Sequence, residues 1–157
     1  MSVTLATAYR THGPSVLRRA RRILGNEADA REVVQDVFMS LVDQPEQFSG
    51  RSSLMTFLYR ATTNRCLNHL RNTKTRRRLL EERGPGDSTE RSGAEEQAIV
   101  TDLLRQLPPD QAKALVYYYV DEMSQAEIAE ILGCSRRHVG NLLERVKQSA
   151  AGEAHPA

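Results

Sequence analysis

Apolar residues along this chain recur three and four positions apart, the spacing that puts them on one side of a helix. In the stretch Val3 to Leu24, Val16, Leu17, Ala20, Ile23 and Leu24 share a side, and Gly13-Pro14 marks a point where the helix bends or restarts. Asn26 is placed to cap a second helix that runs to about Val42, ahead of Pro45, with Val33, Val34, Val37, Phe38 and Leu41 as its buried stripe. The Pro, Gly and serines of Gln44 to Ser53 predict a loop. Ser53 then caps a long helix from Leu54 to about Arg78. Leu54, Phe57, Leu58 and Ala61 form one stripe on it, while Cys66, Leu67 and Leu70 fall on nearly the opposite face. Such a helix is covered on different sides along its length.

A change of composition follows. Leu79 to Gly93, LLEERGPGDSTERSG, reads as a linker by its Gly, Pro, Ser and acidic content. Helical spacing resumes from Ala94 to Leu107 with Ile99, Val100, Leu103, Leu104 and Leu107. Pro108-Pro109 ends that helix and starts another, whose core is expected from Ala112, Leu115, Val116 and Tyr119, with Tyr117 and Tyr118 divided between partial burial and surface. The pattern predicts an all-α protein: two small helical domains, residues 1–78 and 94–150, joined by a flexible linker over 79–93, with a short tail at 151–157.

The sharpest local pattern lies in Ser124 to Lys147, SQAEIAEILGCSRRHVGNLLERVK. Ser124 and Glu127 are spaced for a reciprocal capping box. Ala126, Ile128, Ala129, Ile131 and Leu132 form an apolar stripe, and Gly133 supplies the left-handed residue that ends the helix and turns the chain. Ser135 caps the next helix, where Val139, Leu142, Leu143 and Val146 fix the buried side. Opposite them stand Arg137, Asn141, Glu144 and Gln148, flanked by Arg136 and Lys147 on one edge and by His138 and Arg145 on the other. This is a helix-turn-helix. Arg and Asn match guanine and adenine edges in the major groove, and the basic flanks suit phosphates. A solvated charged face on a small bundle would show the same polar residues, but not the coincidence of capping box, glycine turn and stripe.

Charge is uneven along the chain. Residues 1–80 hold 14 Lys and Arg against 6 acids, residues 81–100 hold 2 against 6, and residues 101–157 hold 6 against 8, giving +8, −4 and −2 within the overall +2. A basic first half beside a helix-turn-helix suggests that nucleic acid is met twice. On the third helix Arg60, Asn64, Arg65, Asn68, Arg71, Lys74 and Arg76 to Arg78 are interleaved with Tyr59, a mixture suited to a single strand whose bases are held as well as its phosphates. Arg18, Arg19, Arg21 and Arg22 of the first helix fit either a solvated face or contact with a polyanion. The outer face of the second helix, with Glu32, Gln35, Asp36, Met39 and Ser40, is either wet or docks a partner.

Cys66 and Cys134 have no metal-ligand spacing, and the pair Cys134 and His138, four apart, is read as structural. No apolar run approaches the roughly 20 residues of a membrane span, and the N-terminus lacks the apolar core of a signal peptide. A soluble, cytoplasmic protein without membrane insertion is expected. No nucleophile–base set, glycine-rich phosphate loop or metal cluster is visible, so neither an enzyme nor a cofactor is expected.

The order of these parts resembles a known family. Asp29 to Phe38, DAREVVQDVF, then Phe48, then Ser53 to Arg60, SLMTFLYR, and Asn64, followed by a linker and the helix-turn-helix, is similar to the extracytoplasmic-function (ECF) sigma factors, small two-domain specificity subunits of bacterial RNA polymerase. The resemblance covers roughly residues 5–78 and 95–148. It implies that Glu32, Gln35, Asp36 and Met39 dock on the clamp coiled coil of the largest polymerase subunit. It implies that the loop with Phe48, Arg51 and Ser52, together with Arg60, Asn64, Arg65 and Arg71, captures a base flipped from the minus-10 element. Unstacking that base costs on the order of a few kcal/mol, offset by the pocket, the phosphate contacts and the polymerase. The minus-35 element falls to Arg136, Arg137, His138, Asn141, Arg145 and Lys147. An anti-sigma factor, common in the family, joins core RNA polymerase and promoter DNA as an expected partner.

The chain departs from the family pattern at Phe57, Ala61 and Arg65, where Trp, a larger aliphatic and an apolar residue are usual, and at His138 and Gly140, where Thr and a basic residue are usual. Gly within a helix costs about 1 kcal/mol relative to Ala, and here it removes a phosphate contact. The alternative is a stand-alone helix-turn-helix regulator that uses its first half to dimerise. That reading predicts a palindromic site and a self-associating N-terminal half, and leaves the basic strand-capture helix without a purpose.

Overall fold

The computed structural model describes residues 5–43, 53–72 and 91–154. Among them the chain forms α1 (Leu5–Leu24), α2 (Glu27–Asp43), α3 (Leu54–Arg71), α4 (Arg91–Gln106), α5 (Pro109–Leu115) continued by a wider turn (Val116–Val120), α6 (Gln125–Leu132) and α7 (Arg136–Ala154). The described residues contain no strand. Two compact units divide the chain, Met1–His69 and Leu70–Ala157.

In the first unit α1 runs as one helix through Gly13 and Pro14, so the chain does not restart there. Gly25, at φ 70°, then reverses the chain, and Asn26 Oδ1 accepts from the Asp29 backbone N–H at 2.9 Å to cap α2 as predicted. α1 packs along α2. Val16, Ala20, Ile23 and Leu24 meet Val33, Val34, Val37 and Phe38 as the buried stripes, and the Tyr9 ring stands edge-on to Phe38 with centroids 5.1 Å apart.

Arg19 departs from expectation. It is 4% exposed, not part of a solvated arginine face. Its guanidinium donates to the Tyr59 carbonyl at 3.0 Å and to the Thr63 hydroxyl, and lies 4.5 Å from the centre of the Tyr59 ring. A charge can be buried when its donors are used this way. Tyr59, expected on the nucleic-acid surface, is thereby half-buried under a cation.

The same contact explains the two stripes of α3. Thr62 and Thr63 are both buried. With Leu58, Cys66, Leu67 and Leu70 they make one continuous buried strip that drifts around the helix, as an i, i+4 row does at 3.6 residues per turn. Thr62 Oγ1 donates to the Leu58 carbonyl at 2.6 Å, which satisfies its hydroxyl inside the core. Leu54, Phe57 and Ala61 are half-buried beside this strip. α3 is capped by Ser53, whose Oγ accepts from Thr56 N–H at 3.1 Å, and runs to Arg71; the expected continuation over 73–78 lies outside the described residues.

In the second unit α4 begins at Arg91, ahead of the expected Ala94, while linker positions 79–90 lie outside the described residues. Leu103, Leu104 and Leu107 are buried with Thr101, but Ile99 is 62% exposed. Pro109 starts α5 without needing the N–H it lacks. The expectation for the tyrosines is reversed: Tyr117 is buried and Tyr119 is 50% exposed. The cause is the wide turn, in which Asp121 N–H reaches back five residues to the Val116 carbonyl at 3.1 Å. One extra residue in a turn rotates everything after it, so Tyr117 and Val120 point inward and Tyr119 turns out against Tyr118.

Candidate nucleic-acid interface

The helix-turn-helix is built largely from contacts three to five residues apart. Glu127 N–H donates to Ser124 Oγ and Ser124 N–H donates to Glu127 Oε1, each at 3.1 Å, closing the capping box. Hydrogen bonding to the Glu127 carboxylate, from the Ser124 backbone first and its hydroxyl second, holds that carboxyl below its ordinary value of 4.5. Gly133 takes φ 71° and ψ 38° and ends α6, Cys134 N–H returns to the Ala129 carbonyl at 3.0 Å, and Ser135 Oγ accepts from His138 N–H at 3.0 Å to open α7. Ala114, Tyr117, Ile128, Ala129, Val139, Leu142 and Leu143 form the core beneath. Ala126, expected in the α6 stripe, is exposed.

With that side of α7 fixed, Arg136, Arg137, His138, Asn141, Arg145 and Lys147 all reach solvent, and so do Glu144 and Gln148. Each residue predicted to meet duplex DNA is therefore available on one short helix. Gly140 is half-buried beside α6, where an added Cβ would meet Gln125 Oε1 at 3.5 Å, an ordinary contact.

In the first unit, Arg60, Asn64 and Arg65 line an open pocket of about 540 Å³ together with Ser40, Phe57, Ala61 and Asn68. Small-ligand sites occupy roughly 300–1,000 Å³, and a lining of amides, guanidinia and a phenyl ring suits an unstacked base. Helical spacing does not single out Ser40 and Phe57 for this role; they enter because α2 and α3 face each other here. Phe48, Arg51 and Ser52 lie outside the described residues. Arg71 is not on the pocket: it is half-buried in the second unit and donates to the Leu107 carbonyl at 2.8 Å.

Glu32, Gln35, Asp36 and Met39 are all exposed on α2, Met39 by 52%. Gln35 and Met39 border a second, largely apolar hollow with Leu5, Ala6, Tyr9, Arg10 and Phe38. The exposed apolar pair Leu5 and Tyr9 extends this face onto α1, a contribution that helical periodicity does not reveal. Burial pushes the Cys66 thiol up to about 12, against a weaker pull from Arg19, so it stays protonated and unreactive. No described helix is long and apolar enough to cross a membrane.

Comparison with known proteins agrees with both halves. The family model Sigma-70 region 2 matches residues 8–76, and Sigma-70, region 4 matches residues 97–149. The chain is 26% identical over 138 residues to the ECF RNA polymerase sigma factor SigC of Mycobacterium tuberculosis, covering 85% of this chain and 74% of that protein. It is 28% identical over 145 residues to the ECF RNA polymerase sigma-E factor of Haemophilus influenzae, covering 82% and 76%. Among solved structures, CnrH in complex with the cytosolic domain of CnrY is similar with a TM-score of 0.60 at 22% identity, over 96% of this chain and 86% of that one. The sigma factor RpoE in complex with the anti-sigma factor NepR from Bartonella quintana gives 0.56 at 18% identity, over 92% of each chain. These two structural likenesses concern the fold.

Proposed function

Since this chain belongs to the ECF sigma factors of bacterial RNA polymerase, we propose that its two units divide promoter recognition between a base-holding pocket and an edge-reading helix. As a member of that family it binds core polymerase, recognises the minus-35 and minus-10 elements of the promoter and melts its DNA, and it catalyses no reaction of its own. The residue assignments are our reading. Glu32, Gln35, Asp36 and Met39 dock on polymerase. Arg60, Asn64 and Arg65, with Phe48, Arg51 and Ser52 of the preceding loop, hold the flipped minus-10 base, and Arg71 contributes only if it leaves the Leu107 carbonyl. Arg137 and Asn141 read base edges of the minus-35 element, while Arg136, His138, Arg145 and Lys147 meet its phosphates.

The observation that supports this most directly is the α7 surface: a helix whose buried side is fully committed presents an Arg and an Asn four residues apart to solvent. Those two side chains lie on one face and span successive base pairs of a major groove. We also propose that the protein works in the cytoplasm, where polymerase and promoter are, and that an anti-sigma factor covers part of the polymerase face, a reading prompted by the structure of RpoE with the anti-sigma factor NepR.

Run-off transcription with purified core polymerase on genomic fragments from upstream of the protein's own gene tests the reading. Discrete transcripts that depend on the added protein, and disappear when Gln35 and Asp36 are both changed to Arg with the helical circular dichroism intact, support it. Duplex binding without co-elution with core polymerase would move the protein to the stand-alone regulators.

A further inference from the structure

Asp29 and Glu32 stand three apart on α2, so their side chains leave the same face. His69, near the end of α3 and within the same unit, reaches that face. A carboxylate oxygen from each acid and a nitrogen of the imidazole all lie within 4.8 Å of one another. Asp29 is 1% exposed. His69 Nε2 is sealed from solvent and makes no hydrogen bond, although Asp29 Oδ1 stands only 3.5 Å away.

That separation has a physical meaning. Two ligands of a tetrahedral zinc ion, each at about 2.0–2.1 Å, sit roughly 3.3 Å apart. The imidazole nitrogen and the buried carboxylate are spaced as two such ligands would be. Glu32, exposed and jointed at three torsions, closes the remaining distance by a rotamer change, and its exposure leaves the other coordination position to water. A nitrogen and two carboxylates are a donor set that zinc accepts. A simple pairing of His69 with Asp29 is the competing account. It leaves Glu32 without a part and predicts no metal uptake.

We propose that Asp29, Glu32 and His69 bind one zinc ion, which pins the first turn of α2 to the last turns of α3. Glu32 is shared with the proposed polymerase face, but uptake is measured on the protein alone, so failure of either reading leaves the other standing.

The full chain, stripped with chelator, is titrated with zinc chloride against a competing metal indicator, and its melting temperature is followed with added zinc. One equivalent bound per chain is expected, with a melting temperature that rises with zinc concentration. His69→Gln should weaken binding by tenfold or more, since loss of even an outer-shell partner costs about 10–100-fold. Glu32→Gln, an exposed change that leaves the fold intact, should weaken it similarly, and Cys134→Ser should leave it unchanged. No uptake by the wild type at micromolar zinc overturns the proposal. So does unchanged affinity in His69→Gln and Glu32→Gln, or loss of binding in Cys134→Ser, which would assign the metal to Cys134 and His138.

Discussion

The two units reach their candidate surfaces by different routes. In the helix-turn-helix, the residues that expose Arg137 and Asn141 are near neighbours in the chain: Ser124 with Glu127, Gly133 after Leu132, Ser135 before His138. In the first unit, the α3 surface is oriented by a contact from α1, Arg19 to Tyr59, between residues 40 apart in sequence. Local capping makes a recognition helix robust to changes elsewhere. Long-range anchoring ties the helix that carries the candidate base pocket to one buried cation.

The largest expected effect tests that dependence. Arg19→Ala removes the donors that satisfy the Tyr59 carbonyl and the Thr63 hydroxyl and opens a space beside a buried strip. Stability should fall by about 3 kcal/mol, in the range for breaking buried charged networks, as read by urea denaturation. Arg18→Ala, at the exposed position immediately before Arg19, should stay within roughly 0.5 kcal/mol. Equal losses for the two would mean that α3 does not rest on Arg19.

A second prediction sharpens the other side of the comparison. Arg137→Ala and Asn141→Ala should leave stability nearly unchanged, because both are exposed. Each should cost about 1–3 kcal/mol of discrimination at one base position of the minus-35 element, measured by binding to a panel of single-base variants. A uniform loss across the panel would reassign the residue to a phosphate contact.

The same contrast explains what is legible in the sequence. Capping box, glycine stop and Ser135 cap are interactions between residues three to five apart, so spacing alone discloses them, and the exposed face of α7 follows. Arg19 cannot be placed that way, because an arginine next to an apolar stripe looks the same whether its partner 40 residues on exists or not. Thr62 and Thr63 are invisible to a hydrophobic pattern for a related reason: their burial is met by the Leu58 carbonyl, which accepts from Thr62, and by Arg19, which donates to Thr63. The reversal at Tyr119 arises from one backbone choice, the bond from Asp121 to Val116, which an α-helical period does not anticipate. In the pocket, Arg60, Asn64 and Arg65 read as an exposed basic face, whereas Ser40 and Phe57 require knowing which turns of α2 and α3 oppose each other.

Gly140 offers a smaller perturbation within the locally specified unit. Alanine there meets only Gln125 Oε1 at an ordinary 3.5 Å, so the helix-propensity gain of about 1 kcal/mol should appear almost in full in thermal unfolding. A destabilised Gly140→Ala would show that α6 and α7 are closer-fitting than this spacing implies. If the variant is stabilised and its minus-35 selectivity unchanged, the glycine is a departure without a reading role.

The finest test concerns the capping box itself. Because its hydrogen bonds lower the Glu127 carboxyl in the folded state, the charged form is the one that folding favours. The stabilisation is therefore fully present above the unfolded-state value near 4.5 and is lost as pH falls through the lower folded-state value. Comparing wild type with Glu127→Gln isolates this group from the other carboxylates, whose titrations are common to both. The wild type should lead at neutral pH, and the lead should shrink steadily below about pH 4.5. Glutamine keeps an acceptor for Ser124 N–H, so the difference should be smaller than the gain from Gly140→Ala. A lead that persisted unchanged into acid would mean that the box works through geometry alone, and that the local code of the recognition helix owes nothing to charge.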